Sequence, residues 1–169
     1  MTKPAPCFLV ELVWRTHLLS PRKYLDACTV LKGQAGIVAH SPAAVEMYAE
    51  DDRTNAFGGA TVDASWLGLD LVAALRRQEM FMQSVLSRSA FYGDDVVLGA
   101  AVAEYRDFLA CIRSSEKELV PSELVDLVWH THMLFPHRYA AETCALAGSF
   151  VDHEDDVEQD RMAAAVSGP

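Results

Sequence analysis

The sequence predicts an all-α domain of six to seven helices, in which two proline-broken helical hairpins bracket two long central helices. Three observations predict it. Residues 10–24 reappear as residues 125–139 at an offset of 115, with Val, Leu, Val, Trp, Thr, His, Leu, Pro and Tyr on identical positions. In both stretches apolar residues recur at helical spacing until a proline stops them, and two further helical patterns fill the interval between the copies. A match of that length in one register is hard to reach by chance. It reads as an internal duplication, 10–42 and 125–156, within a single domain of residues 1–156.

Each copy reads as helix, sharp stop, helix. Leu9, Leu12, Val13 and Leu19 form the apolar stripe of the first, and Leu124, Leu127, Val128, Thr131 and Leu134 that of the second. Pro121 and Ser122 supply an opening proline and a capping hydroxyl. Pro136 has no N–H for the carbonyl of His132 and pushes Phe135 off helical angles; Pro21 does the same to His17 and Ser20. Ser20 is also positioned to cap the helix that follows. With a two-residue gap, His40 in the first copy matches His153 in the second. The copies differ where chemistry could reside: Arg15 faces His130, and Ala39 faces Asp152.

Between the copies, residues 42–50 predict a short helix and 51–63 a polar, turn-rich connection. Residues 64–89 give the clearest helix, with Leu67, Leu71, Leu75, Gln78, Met82, Val85 and Leu86 on one stripe. Gly93 and Asp94 separate it from a second long helix, capped by Asp94, that buries Val97, Ala101, Tyr105, Phe108 and Ile112. Burying such side chains contributes about 1.5–3 kcal/mol each, which marks these two helices as the expected packing centre. Residues 157–169 are acidic and then small, and predict a frayed or disordered tail.

Composition narrows the function. The chain has 169 residues, 51% of them hydrophobic, which suits one soluble globular domain. A net charge of −10 with scattered basic residues gives little grip on phosphate backbones or anionic lipid, so nucleic acid is excluded as a partner. No apolar run approaches the roughly 20 residues of a membrane span, and no secretory signal is visible. Cys7, Cys28, Cys111 and Cys144 stand far apart and predict reduced, mostly helical core thiols in an intracellular protein.

The histidines offer one candidate site. His130, His132 and His153, with Asp152 or Asp155 in support, are a ligand set for a zinc-type ion, because neutral imidazole suits such metals and three ligands leave a position for water. A bound water of that kind would make the domain a metal-dependent hydrolase or lyase. Helical geometry opposes part of this set, since residues two apart point about 200° away from each other. The competing reading is architectural. His17 and His132 sit in the last turn of a helix, where imidazole can bond open carbonyls. Trp14 and Trp129 are large core anchors, with Tyr24 and Tyr139 packing over them to seal each corner. His137 is expected in solvent. No GxSxG, P-loop or GxGxxG motif occurs.

WHTHML-x-P-x-x-Y, followed by G-x-x-V-D-H-x-D, resembles the signature of the glycine-rich domain-containing protein-like family. Leu75 to Phe81 and Ala103 to Leu109 are similar to its linking helices, so the resemblance covers roughly residues 10–156. It implies the helical fold more than any activity. The chain departs from the family pattern in lacking a glycine-rich region and an appended RNA-binding domain, in Arg15, and in the absence of a helix ahead of the first motif. The preferred reading is a helical protein-interaction module, or an accessory subunit without catalysis, whose protein partner would cover that first helix. The metal-dependent enzyme is the alternative.

Overall fold

The computed structural model describes residues 8–32, 36–40, 68–117 and 119–153. The expected helix over 42–50, the connection 51–63, Leu67, Cys7, Asp155 and the tail after 156 lie outside the described residues. Among the described residues there are seven helices and no strand: α1 (Phe8–Leu18), α2 (Pro21–Lys32), α3 (Leu71–Ser87), α4 (Ser89–Tyr92), α5 (Asp95–Ser114), α6 (Glu123–Met133) and α7 (Pro136–Ala147). The protein is all-α.

Both prolines act as their chemistry dictates. Pro21 and Pro136 each open the second helix of a hairpin, where a missing N–H costs nothing. The turns ahead of them match: Ser20 N–H donates to the His17 carbonyl at 3.1 Å, and Phe135 N–H to the His132 carbonyl at 3.0 Å. Ser122 caps α6 by accepting from Val125 N–H at 3.2 Å, and Asp94 caps α5 through Val96 and Val97.

The long helix expected over 64–89 is shorter. Gly68 takes a left-handed φ of 63°, and Asp70 caps α3 by accepting from Val72 and Ala73 N–H, so residues 68–70 are outside the helix. Its far end stops at Arg88, and the single turn of α4 follows.

The buried stripes also differ from the predicted ones. On α3, Met82 and Leu86 face solvent, while Ala74 and Val85 are buried and Phe81 is half-buried. On α6 the buried face is Val125, Asp126, Trp129, His130 and Met133, one residue round from the purely apolar stripe, and Thr131 is exposed. On α1 the same rotation buries Glu11 and exposes Leu12. In both hairpins a polar pair shares the inner face, so hydrophobicity alone misplaces the stripe. Of the thiols, Cys28 is buried, whereas Cys111 and Cys144 are exposed rather than in the core.

The packing centre is not the pair of long helices. Helix α5 packs on α6 and α7, while α3 packs on α1. The main core joins Tyr105 and Leu109 of α5 to Val125, Trp129, Met133, Tyr139 and Ala147 of the second hairpin. Leu19, from the first corner, inserts into this core. Leu134, from the second corner, packs in return against the smaller cluster of Leu18, Tyr24 and Cys28.

Candidate functional site

The residues singled out by the sequence form two corresponding assemblies. Trp14 Nε1–H donates to Tyr24 OH at 3.0 Å, and that hydroxyl donates to the Val38 carbonyl at 2.7 Å. Trp129 Nε1–H donates to Tyr139 OH at 2.9 Å, and that hydroxyl donates to the Val151 carbonyl at 2.9 Å. The tyrosines thus do more than pack over the tryptophans: each fastens the strap of chain after its hairpin. Burial pushes the phenols of both Tyr24 and Tyr139 well above their ordinary range, so they stay protonated donors.

The straps deliver His40 and His153, and each histidine crosses to the opposite hairpin. His40 Nδ1 lies 3.0 Å from the Leu134 carbonyl, and His153 Nδ1 lies 3.1 Å from the Leu19 carbonyl. Only the ring nitrogen has a proton to give, so Nδ1–H is the donor in both. The other ring nitrogen faces a carboxylate of its own hairpin: His40 Nε2 is 2.7 Å from Glu11 Oε1, and His153 Nε2 is 3.1 Å from Asp126 Oδ1. Each ring stands edge-on to the tryptophan of its hairpin, with centroids 5.1 Å and 4.8 Å apart.

The assemblies diverge at the next position. Arg15 Nε–H donates to Glu11 Oε1 at 2.7 Å. Burial raises the Glu11 carboxyl, but the bonds from Arg15 and His40 outweigh it and hold the group below the usual carboxylate range. At the equivalent position His130 Nε2 sits 3.4 Å from Asp126 Oδ2, its ring 4.9 Å from that of His153 and 4.4 Å from Phe81. Asp126, His130 and His153 each offer one ligand-type atom, and these lie within 4.8 Å of one another.

His132 is not in this group. Its Nδ1 lies 2.9 Å from Tyr105 OH, and its ring meets Tyr139 edge-on. Its Nε2 approaches Glu142 Oε2 at 3.2 Å, a charge contact without hydrogen-bond alignment. Burial lowers its pKa, with Glu142 pulling the other way. His17 likewise stacks edge-on against Tyr24, and burial lowers it too. Asp152 is not one of this group: it accepts from Arg22 N–H at 3.1 Å and so caps the start of α2. His137 is exposed, as expected.

Sequence reasoning missed Glu11 and Asp126. The signal was there, since both copies place an acid at the same position, four residues before Arg15 and His130.

The sequence profile of the glycine-rich domain-containing protein-like family matches residues 42–142. The chain belongs to this family. It is 30% identical over 95% of its length to glycine-rich domain-containing protein 1 of Arabidopsis thaliana, and equally to glycine-rich domain-containing protein 2 of the same plant. The chain spans 22% and 23% of those two relatives, about a fifth of each. No solved structure matches it. No described helix is long and apolar enough to cross a membrane.

Proposed function

We propose that this domain is a non-catalytic helical module through which a longer protein makes contact with a protein partner. The observation that carries the reading is the reciprocal clasp. Trp14, Tyr24, Trp129 and Tyr139 are engaged in fastening each hairpin to its own strap, and His40 and His153 in joining the two hairpins. Outward it presents several large apolar side chains: Leu86, Phe91, Val96 and Val102 on α3 to α5 are exposed. Exposed apolar side chains of this size suit protein contact. The acidic net charge of −10 keeps nucleic acid and anionic lipid out of this reading, and the free thiols suit a reducing, intracellular compartment.

A comparative capture tests it. The full-length protein in its native cells is cross-linked beside a Phe91→Glu/Val96→Glu double variant, both positions being solvent-facing. The reading expects a partner recovered with the wild type and lost with the variant while the melting temperature is unchanged. Identical recovery with both proteins refutes this surface.

The second reading, a zinc-type hydrolase or lyase, draws on the imidazoles near Asp126. Against it, Asp126, His130 and His153 are 5%, 8% and 5% exposed, which gives a substrate little access.

A further inference from the structure

We propose that Asp126, His130 and His153 form a buried structural site for one divalent transition-metal ion of the zinc or ferrous class. Three independent features lead there.

The first is the donor set and its geometry. Asp126 and His130 are four residues apart on α6 and therefore share a face, and the strap after α7 brings His153 to the same point. Asp126 oxygens lie 3.1 Å and 3.4 Å from the two Nε2 atoms. The ligand-to-ligand edge of a tetrahedral zinc site with bonds of roughly 2.0–2.1 Å is about 3.3 Å; these two approaches fit it, while the three ligand atoms together spread over as much as 4.8 Å, so an ion would draw the widest pair inwards. Two imidazoles and one carboxylate suit zinc or ferrous iron, whereas calcium and magnesium prefer all-oxygen shells.

The second is the tautomer. With Nδ1–H donating to the Leu19 carbonyl, Nε2 of His153 is the nitrogen turned towards the Asp126 carboxylate, where it can carry a proton or ligate a metal ion. Metal-ligating histidines are held in this way, with the far ring nitrogen anchored to a backbone carbonyl.

The third is the other hairpin. There Glu11 and His40 repeat the carboxylate and imidazole, and the place of His130 is taken by Arg15, whose guanidinium donates directly to Glu11. The first hairpin thus carries its cation covalently, and the second has the ligands for a mobile one. The ion would tie α6 to the strap at residues 151–153. Through the Leu19 carbonyl it would extend that tie to the first corner. Its role is therefore to secure the fold, which makes this site independent of the contact surface proposed above.

Metal analysis of the chain purified without a histidine tag tests the proposal, after growth with zinc in one culture and iron in another. The expected content is about one equivalent, the preferred metal being whichever is retained through dialysis. Added Co(II) should give the absorption of a low-symmetry N,O site in the metal-free wild type. Because His130→Ala opens a gap in a buried site, His130→Arg is the decisive variant: it copies the first hairpin, so it should fold, hold under about a tenth of an equivalent, and melt at a temperature unmoved by chelator. His132→Ala should keep the ion. The proposal is overturned if the wild type binds less than about a tenth of an equivalent of either metal, if His130→Arg keeps it, or if His132→Ala loses it.

Discussion

The two hairpins use the same parts and are covered differently. Tryptophan, tyrosine, strap carbonyl, histidine and carboxylate occupy matching places in both. Yet Val10 is 47% exposed where its counterpart Val125 is 2% exposed, and Trp14 is half-buried where Trp129 is buried. The difference is α5. It lies against α6 and α7, brings Phe108 to Trp129, and gives His132 a hydroxyl partner in Tyr105. The lesson is that the polar clasp does not depend on how much apolar cover a hairpin has. The clasp sets the geometry, and the cover sets how much energy each half contributes.

The largest expected asymmetry is at the tryptophans. Trp129→Ala should cost about 3–5 kcal/mol in urea unfolding, as large aromatic deletions from a core do. Trp14→Ala should cost less, about 1.5–3 kcal/mol, since part of its ring is already wet. Equal losses would break the comparison by showing that α5 adds nothing to the second hairpin.

The tyrosine hydroxyls sharpen it. Tyr139→Phe leaves the Trp129 N–H and the Val151 carbonyl unsatisfied in a dry place and should cost about 1–3 kcal/mol. Tyr24→Phe should fall at or below the low end of that range, because water can reach its partly buried partners. A larger loss at Tyr24, measured by the same denaturation, would invert the ranking of the two halves. Smaller again is Asp152→Ala. This cap at the start of α2 has no counterpart in the second hairpin, where Ala39 stands opposite, and its loss should lower stability by about 1 kcal/mol in a thermal melt.

The smallest effect is on pH dependence, where burial lowers one histidine in each hairpin, His17 and His132. Burial lowers His17, so the folded state favours its neutral form; the associated stability is complete above the ordinary value of 6.5 and is lost as pH falls below it. Glu11 is lowered as well, so its contribution is present above 4.5 and lost as pH falls further. The melting temperature should therefore fall in two stages on acidification, and His17→Gln should flatten the upper stage. An unchanged slope in that variant would assign the upper stage to His132, which burial also lowers.

Much of this architecture was legible because it follows from local rules. Proline at 21 and 136, Ser122 and Asp94 fix helix ends through backbone chemistry that a sequence displays directly. The central helices were legible from spacing, though Gly68 and Asp70 shortened one of them. The inner faces of α1 and α6 were not. Glu11 and Asp126 look like solvent residues until the imidazoles that meet them arrive from a strap many residues away. His132 was grouped with His130 by adjacency, but the helical turn sends it to Tyr105 instead. The exchange of Leu19 and Leu134 between cores left no local signal at all.

That exchange has a bearing on how the chain matures. His40 waits for a carbonyl 94 residues downstream, and Leu19 waits for an imidazole 134 residues downstream. Contacts so remote in sequence are slow to close, because chain entropy must be surrendered before they reward it. While a ribosome is still extending the polypeptide, the opening hairpin has no second corner to grip. Its exposed corner is then a natural client for chaperones until residues 123–153 emerge and both latches can shut together.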